Sequence, residues 1–189
     1  MGGIRDKVAV IGMGCTSFAE HWDKSINDLL VEAAYEAFED AGIEPSDIQA
    51  AWFGTKGSTE SGTALSGALK TKYIPITRVE NKCATGSEAF RNACYAVASG
   101  AYDIVLAIGV EKLKDSGYSG LVGGAFSTDG VEPMLTAPSA FSLLAPAYFN
   151  KYGVDPQQGK EVLSRIAWKN HKNGALNPKA QYQNEVPIE

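Results

Sequence analysis

Between two strand-like runs, Ile76–Val79 and Asp103–Val110, lies a helix-length stretch with almost no bulk. Ala84, Gly86, Ala89, Ala93, Cys94, Ala96, Val97 and Ala98 put small side chains on several faces, and Phe90 is the one large apolar residue in its first turns. A surface helix shows one broad polar face. Here charge is limited to Glu88 and Arg91. A helix so free of bulk can lie against neighbouring backbones on more than one side. The expectation is a central, mostly buried helix that ends at Gly100, with Cys83 at its buried tip.

Cys83 stands where that helix begins. The first N–H groups of a helix have no partner within it and point outward. Their partial positive charge favours a thiolate over a thiol, which makes such a cysteine a better nucleophile. The competing reading is a small buried hydrophobe, the common role of a free cysteine. Position leaves both open.

The rest of the chain fits an α/β layer around this stretch. Lys7–Ile11 is a short β-branched run, expected as a buried parallel strand. Gly12-Met13-Gly14 reads as a tight turn rather than a dinucleotide loop, because Ser17 stands where a third glycine is needed. The second strand, Ala50–Gly54, also ends without an acidic residue for a ribose. Ile26–Ala41 is an amphipathic helix, with Ser25 as its N-cap, Asp28 in its first turn and Gly42 as its C-terminal stop. Strand, helix and strand in that order predict a right-handed parallel crossover. Lys56–Ser66 is rich in Gly, Ser and Thr and reads as a surface loop or a loop near a site, with a weak helix from about Ala64 to Leu69. Beyond Glu111 the pattern loses its period up to Pro138. Two helical segments follow. One is Ala140–Tyr152, which Pro146 should kink or restart. The other is Gly159–Lys172, with Val162, Leu163, Ile166 and Ala167 on one side. A polar tail closes the 189 residues.

Composition excludes several classes. The chain is 44% hydrophobic and 21% charged, which suits a packed core rather than a disordered tail. A net charge of −5 offers no basic surface, so nucleic-acid binding is not expected. No stretch of about 18 apolar residues suggests a membrane span, and the N-terminus lacks the apolar run of a signal peptide. Cys15, Cys83 and Cys94 form no disulfide framework and no C-x-x-C pair, which fits reduced thiols in the cytoplasm. His21 reads as a solvated loop residue and His171 as a surface residue near a helix end. No metal-ligand spacing or P-loop appears.

Asn81-Lys-Cys-Ala-Thr-Gly-Ser-Glu-Ala89, followed by Ser99-Gly-Ala-Tyr-Asp-Ile-Val-Leu-Ala-Ile-Gly-Val-Glu-Lys112, resembles the nucleophile region of the thiolase superfamily. The nearest branch in resemblance is the sterol-carrier-protein-type or lipid-transfer-protein-like thiolases, which are acetyl-CoA acetyltransferase-like. Val8-Ala-Val-Ile-Gly12, Asp40-Ala-Gly-Ile43, Pro45-Ser-Asp-Ile48 and Lys169-Asn-His-Lys-Asn-Gly-Ala-Leu-Asn-Pro178 resemble it too. The resemblance implies an α/β N-terminal thiolase half-fold over residues 1–111, of βαβαβαβ type with a mixed sheet flanked by helices. It implies a covering loop domain, incomplete, over 112–189. The family's second half, with its Gly-His-Pro motif, its further catalytic histidine and its second cysteine, has no counterpart in these residues.

Carried over to this chain, Cys83 matches the acyl-accepting nucleophile, with its backbone N–H helping to hold the thioester oxyanion. The substrate class implied is coenzyme A or acyl-CoA, with no covalently bound cofactor, no metal and no cofactor-binding residue assigned. Thiolytic cleavage or Claisen condensation of a 3-ketoacyl-CoA is the reaction implied. A thiolase-like aldolase, a ketoacyl-synthase-type condensing enzyme, and a non-catalytic subunit that binds acyl-CoA or a partner protein stay open beside it. The partners implied are further copies, joined through the N-terminal domain, and a second polypeptide that supplies the C-terminal half or an OB-fold subunit. The chain by itself is expected to be inactive and prone to association through uncovered apolar surface.

Overall fold

A computed structural model describes residues 3–113 and 136–188. The irregular segment read between Lys112 and Pro138 falls mostly outside them. The chain divides into two compact units, Met1–Thr16 with His21–Lys112, and Ser17–Glu20 with Leu113–Glu189.

In the first unit, α1 (Ile26–Ala41) begins at Ser25, whose hydroxyl accepts from the Asp28 N–H while the Asp28 carboxylate accepts from the Ser25 N–H. The two bonds satisfy groups that a helix start leaves open. Gly42 closes the helix in the left-handed region, at φ 66°. Three parallel strands follow: β1 (Ala50–Gly54), β2 (Ile76–Val79) and β3 (Val105–Gly109), in the order β2-β1-β3. Ala51 lies opposite Ile76 and Leu106, and Phe53 opposite Arg78 and Ile108. Between the strands run α2 (Thr63–Leu69) and α3 (Thr85–Ala98).

The layers follow from handedness. The chain steps from β1 to β2 in one direction and from β2 past β1 to β3 in the other. Right-handed crossovers then require α2 and α3 on opposite faces of the sheet. Strand alternation agrees. Ala51, Phe53, Leu106 and Ile108 pack with Leu30, Ala34 and Phe38 of α1 and Leu65 and Leu69 of α2. The other face carries Gly54, which abuts Thr85 at the start of α3. Phe53 and Leu65 are wholly buried, and each such side chain contributes about 1.5–3 kcal/mol by leaving water.

Three expectations change. Lys7–Ile11 forms no strand, is largely exposed, and no described strand pairs with it. Its apolar run signals strand conformation, but a strand also needs a partner ladder, which sequence period cannot supply. Gly12 and Gly14 make no turn. Both lie flat on α1. A Cβ at Gly12 would sit 2.3 Å from the Ala37 carbonyl oxygen, and one at Gly14 2.0 Å from that of Ala33. The Met13 N–H donates to Asp40 Oδ2 at 2.9 Å and the Cys15 N–H to Glu36 Oε2 at 2.8 Å. The glycines thus serve close approach. Lastly, α3 is covered on one side. Thr85, Ala89 and Ala93 are buried, whereas Phe90 and Tyr95 are about half exposed. Its small residues permit close contact with the sheet but do not bring a second covering layer.

The second unit contains α4 (Ala137–Ser142), α5 (Leu144–Tyr152) and α6 (Pro156–Ala175). The break anticipated from Pro146 falls at Leu143, which puts the proline in the first turn of α5, where its missing N–H costs no helix bond. Asp155 caps α6, accepting from the N–H groups of Gln157 and Gln158. The ring of Phe149 packs on Gly159, the buried residue of α6. Val162, Leu163 and Ile166, read as sharing one side of the helix, are about half exposed. Among the described residues no helix is long and apolar enough to cross a membrane.

Candidate active site at the carboxyl edge of the sheet

All three strands are parallel, so their carboxyl ends lie on one edge. The connection after β1 leaves toward α2 on one face, and that after β2 toward α3 on the other. Open α/β sheets bind ligands in the crevice formed where neighbouring connections part in this way. Thr55–Ser58 and Glu80–Thr85 flank that crevice, and Glu111 follows β3 beside them.

The turn that carries Cys83 is tied at nearly every polar group. Lys82–Ala84 form a single 3-10 turn that runs into α3. The Lys82 N–H donates to Glu80 Oε1 at 2.6 Å, and the Ala84 N–H to the Asn81 carbonyl at 3.0 Å. Thr85 Oγ1 accepts from the Asn81 N–H at 2.8 Å and donates to the Lys82 carbonyl at 2.6 Å. Lys82 has φ 47°, in the left-handed region. A non-glycine residue there costs of order 1 kcal/mol, and tight surroundings must hold it. Cys83 is exposed, not buried as its setting in the sequence suggested. The turn that seats it lies at the rim of the sheet rather than beneath a second layer. Helix geometry leaves the N–H groups of Lys82 and Cys83 without an acceptor in the turn, and Glu80 takes up that of Lys82.

A second knot joins the loops after β1 and β3. Glu111 accepts from the N–H groups of Lys56 at 2.7 Å and Gly57 at 3.1 Å, and from the Ser58 hydroxyl at 2.6 Å. Ser58 Oγ in turn accepts from the Lys112 N–H at 2.8 Å. Burial pushes the Glu111 carboxyl up, but the bonds from Ser58 and the backbone N–H groups of Lys56, Gly57 and Ser58 outweigh it. The carboxyl therefore sits below its ordinary value. Arg78 Nη2 donates to the Lys56 carbonyl at 2.9 Å, while its buried Nε has no hydrogen-bond partner. Lys112 Nζ donates to the carbonyls of His21 and Lys24, which holds the segment leading into α1.

One turn into α3, Glu88 accepts from Arg91 and Asn92. These bonds lower the Glu88 carboxyl and raise the Arg91 guanidinium. His21 is half-buried rather than solvated. His171 belongs to the second unit, where Nδ1 lies 3.3 Å from the Asn184 carbonyl and the ring leans on Tyr182. No group of three or more His, Cys, Asp or Glu side chains among the described residues is arranged to hold a metal.

The sequence singles out Cys83 as a candidate but not Glu80, Thr85, Glu111 or Ser58, whose hydrogen bonds tie the loops at this edge. A signal for Glu111 exists, namely a carboxylate directly after a fully apolar strand. Thr85 is visible only as a hydroxyl four residues after Asn81.

The family description "Thiolase, N-terminal domain" matches residues 8–189. An acetyl-CoA acetyltransferase of Methanothermobacter thermautotrophicus is 34% identical over 190 residues, covering 96% of this chain and 49% of the relative. Sterol carrier protein 2 of Gallus gallus is 33% identical, covering 97% of this chain and 36% of the relative. The chain thus spans half or less of the length of these relatives. A solved structure, the Ltp2-ChsH2(DUF35) aldolase, superposes with a TM-score of 0.71 at 25% identity, over 95% of this chain and 47% of that one.

Proposed function

The chain belongs to the thiolase family, and on that premise we propose that it is the nucleophile-bearing part of a thiolase-type acyltransferase that acts on acyl-CoA thioesters. Cys83 is the proposed nucleophile. The observation that carries this reading is the tied turn, which presents an exposed thiol at the carboxyl edge of a parallel sheet. The Cys83 thiolate adds to the acyl carbonyl, the carbon–sulfur bond to coenzyme A breaks, and coenzyme A leaves as its thiolate. The acyl group then rests on Cys83 as a thioester, which divides a hard carbon–carbon bond change into two acyl transfers. The free N–H of Cys83 stabilises the oxyanion during each addition. The second unit serves as the start of a cover over the coenzyme A tail. The base that activates Cys83, and the base that takes a proton from a second acyl-CoA so that its carbon attacks the Cys83 thioester and expels the Cys83 thiolate, come from a segment or partner with the family's second-half chemistry.

Intact-mass analysis after incubation with acetyl-CoA tests this reading. One acetyl group on Cys83, absent from Cys83→Ser, is expected. A folded chain that stays unmodified even with its second half supplied rules the acyltransferase reading out.

A second reading is favoured by the likeness to the Ltp2-ChsH2(DUF35) aldolase. In it the same half-fold works in an aldolase together with a DUF35 subunit. Co-purification with a DUF35 protein, and carbon–carbon cleavage without an acetyl–Cys83 intermediate, would favour it over acyl transfer.

A further inference from the structure

We infer that Thr85 is the positioning residue for Cys83, acting through its hydroxyl to hold the nucleophile turn in its strained form. The inference rests on the reading of Cys83 as the nucleophile. The Thr85 side chain is nearly buried, at 9% exposure. Its hydroxyl bridges the two residues before Cys83, accepting from the Asn81 N–H and donating to the Lys82 carbonyl. Those two bonds bracket the one residue of the turn in the left-handed region, Lys82. Thr85 is also anchored from behind, because a Cβ at Gly54 would lie 3.1 Å from its Cγ2. β1 therefore fixes Thr85, Thr85 fixes the Asn81–Lys82 peptides, and these fix the direction in which Cys83 leaves the turn.

The hydroxyl does not simply cap α3. The N-cap residue is Ala84, which makes no side-chain cap bond. Both Thr85 bonds run backward, to Asn81 and Lys82, rather than to the open N–H groups of the helix's first turn. A cap would stabilise the helix. A bridge of this kind sets the geometry of the segment before it.

Thr85→Val keeps the methyl against Gly54 and removes both bonds, whereas Thr85→Ser keeps the bonds and removes the methyl. The readout is the rate at which iodoacetamide alkylates Cys83 at neutral pH, followed by peptide mapping with Cys94 as an internal reference. T85V is expected to slow Cys83 about five- to tenfold, the lower end of what losing two hydrogen bonds does, and to leave Cys94 unchanged. T85S is expected to stay within about twofold of the parent chain on the same scale. A T85V rate within about twofold of the parent overturns the inference, as does a T85S loss as large as valine's. If T85V does not fold, T85A is compared with T85S instead, since both lack the methyl and only serine keeps the hydroxyl bonds. The same fold-change between that pair supports the inference, and equal rates overturn it. Failure of the parent chain to accept an acetyl group even with its second half supplied would sink the acyl-transfer reading and leave the alkylation comparison intact.

Discussion

Glu111 shows how much one side chain organises at this edge. It joins the loop after β1 to the end of β3 through three bonds, and all three are strongest when the carboxylate is charged. Because its carboxyl is held below the ordinary value, its contribution to stability is complete above the unfolded-state pKa, near 4.5. The contribution is lost as pH falls through the lower folded-state value. Glu111→Gln should therefore destabilise the chain at neutral pH by about 1 kcal/mol and flatten the acid limb of its stability profile. Urea unfolding at neutral pH and near pH 4 checks both points, and an unchanged acid limb would show that Glu111 is not the group titrating there. Cys83 was legible in the sequence because a helix start is a local signal. Its exposure and its dependence on Thr85 were not, since both follow from contacts with β1 and Glu80 that no spacing reveals.

Among elements, α1 and β1 fall where caps and apolar period place them. Ser25, Gly42 and the run Ala50–Gly54 are local signals that read directly. The failures occur where an element depends on a distant partner. Lys7–Ile11 has the composition of a strand but no described ladder, and α3 has the composition of a buried helix but only one covered side. The Gly12–Met13–Gly14 stretch misled for a related reason. Glycine signals either a turn or a close approach, and only α1 decides between them. Gly12→Ala and Gly14→Ala should each destabilise the first unit by about 1–3 kcal/mol, as overpacking against backbone does. Gly42→Ala tests a different effect. Nothing lies within 4 Å of its Cβ position, and the φ of 66° makes the strain local. Denaturant midpoints of the three variants separate the mechanisms, because only the first two should also loosen the bonds from Met13 and Cys15 to α1, measurable by amide exchange.

At the scale of the whole molecule, the α/β class and the thiolase resemblance were both present in the sequence, and the parallel sheet with helices on both faces agrees with them. What sequence could not give was the extent of uncovered surface. Val10, Ile11, Trp22, Phe90 and Tyr95 in the first unit are each about half exposed or more, as are Phe141, Leu143 and Leu144 in the second. Apolar side chains left this exposed favour association. Sedimentation across a concentration series should show species larger than the monomer, and Val10→Ser with Ile11→Ser should shift the distribution toward it. A strictly monomeric chain at every concentration would show that this surface is tolerated as it stands.

The seating of Gly12 and Gly14 on α1 has a last consequence, which concerns register. Two residues of extended chain advance about 6.6 Å, and four residues of helix about 6.0 Å. Gly12 and Gly14 therefore meet Ala37 and Ala33 almost in step, while the acidic Asp40 and Glu36 meet the N–H groups of the residues that follow them, Met13 and Cys15. A slip by one residue would drive the Met13 side chain into a helix backbone that has no room for a methyl group. The two scales behave like a vernier with one coincident mark. They fix the register in which Gly12–Cys15 lies along α1 without any strand ladder.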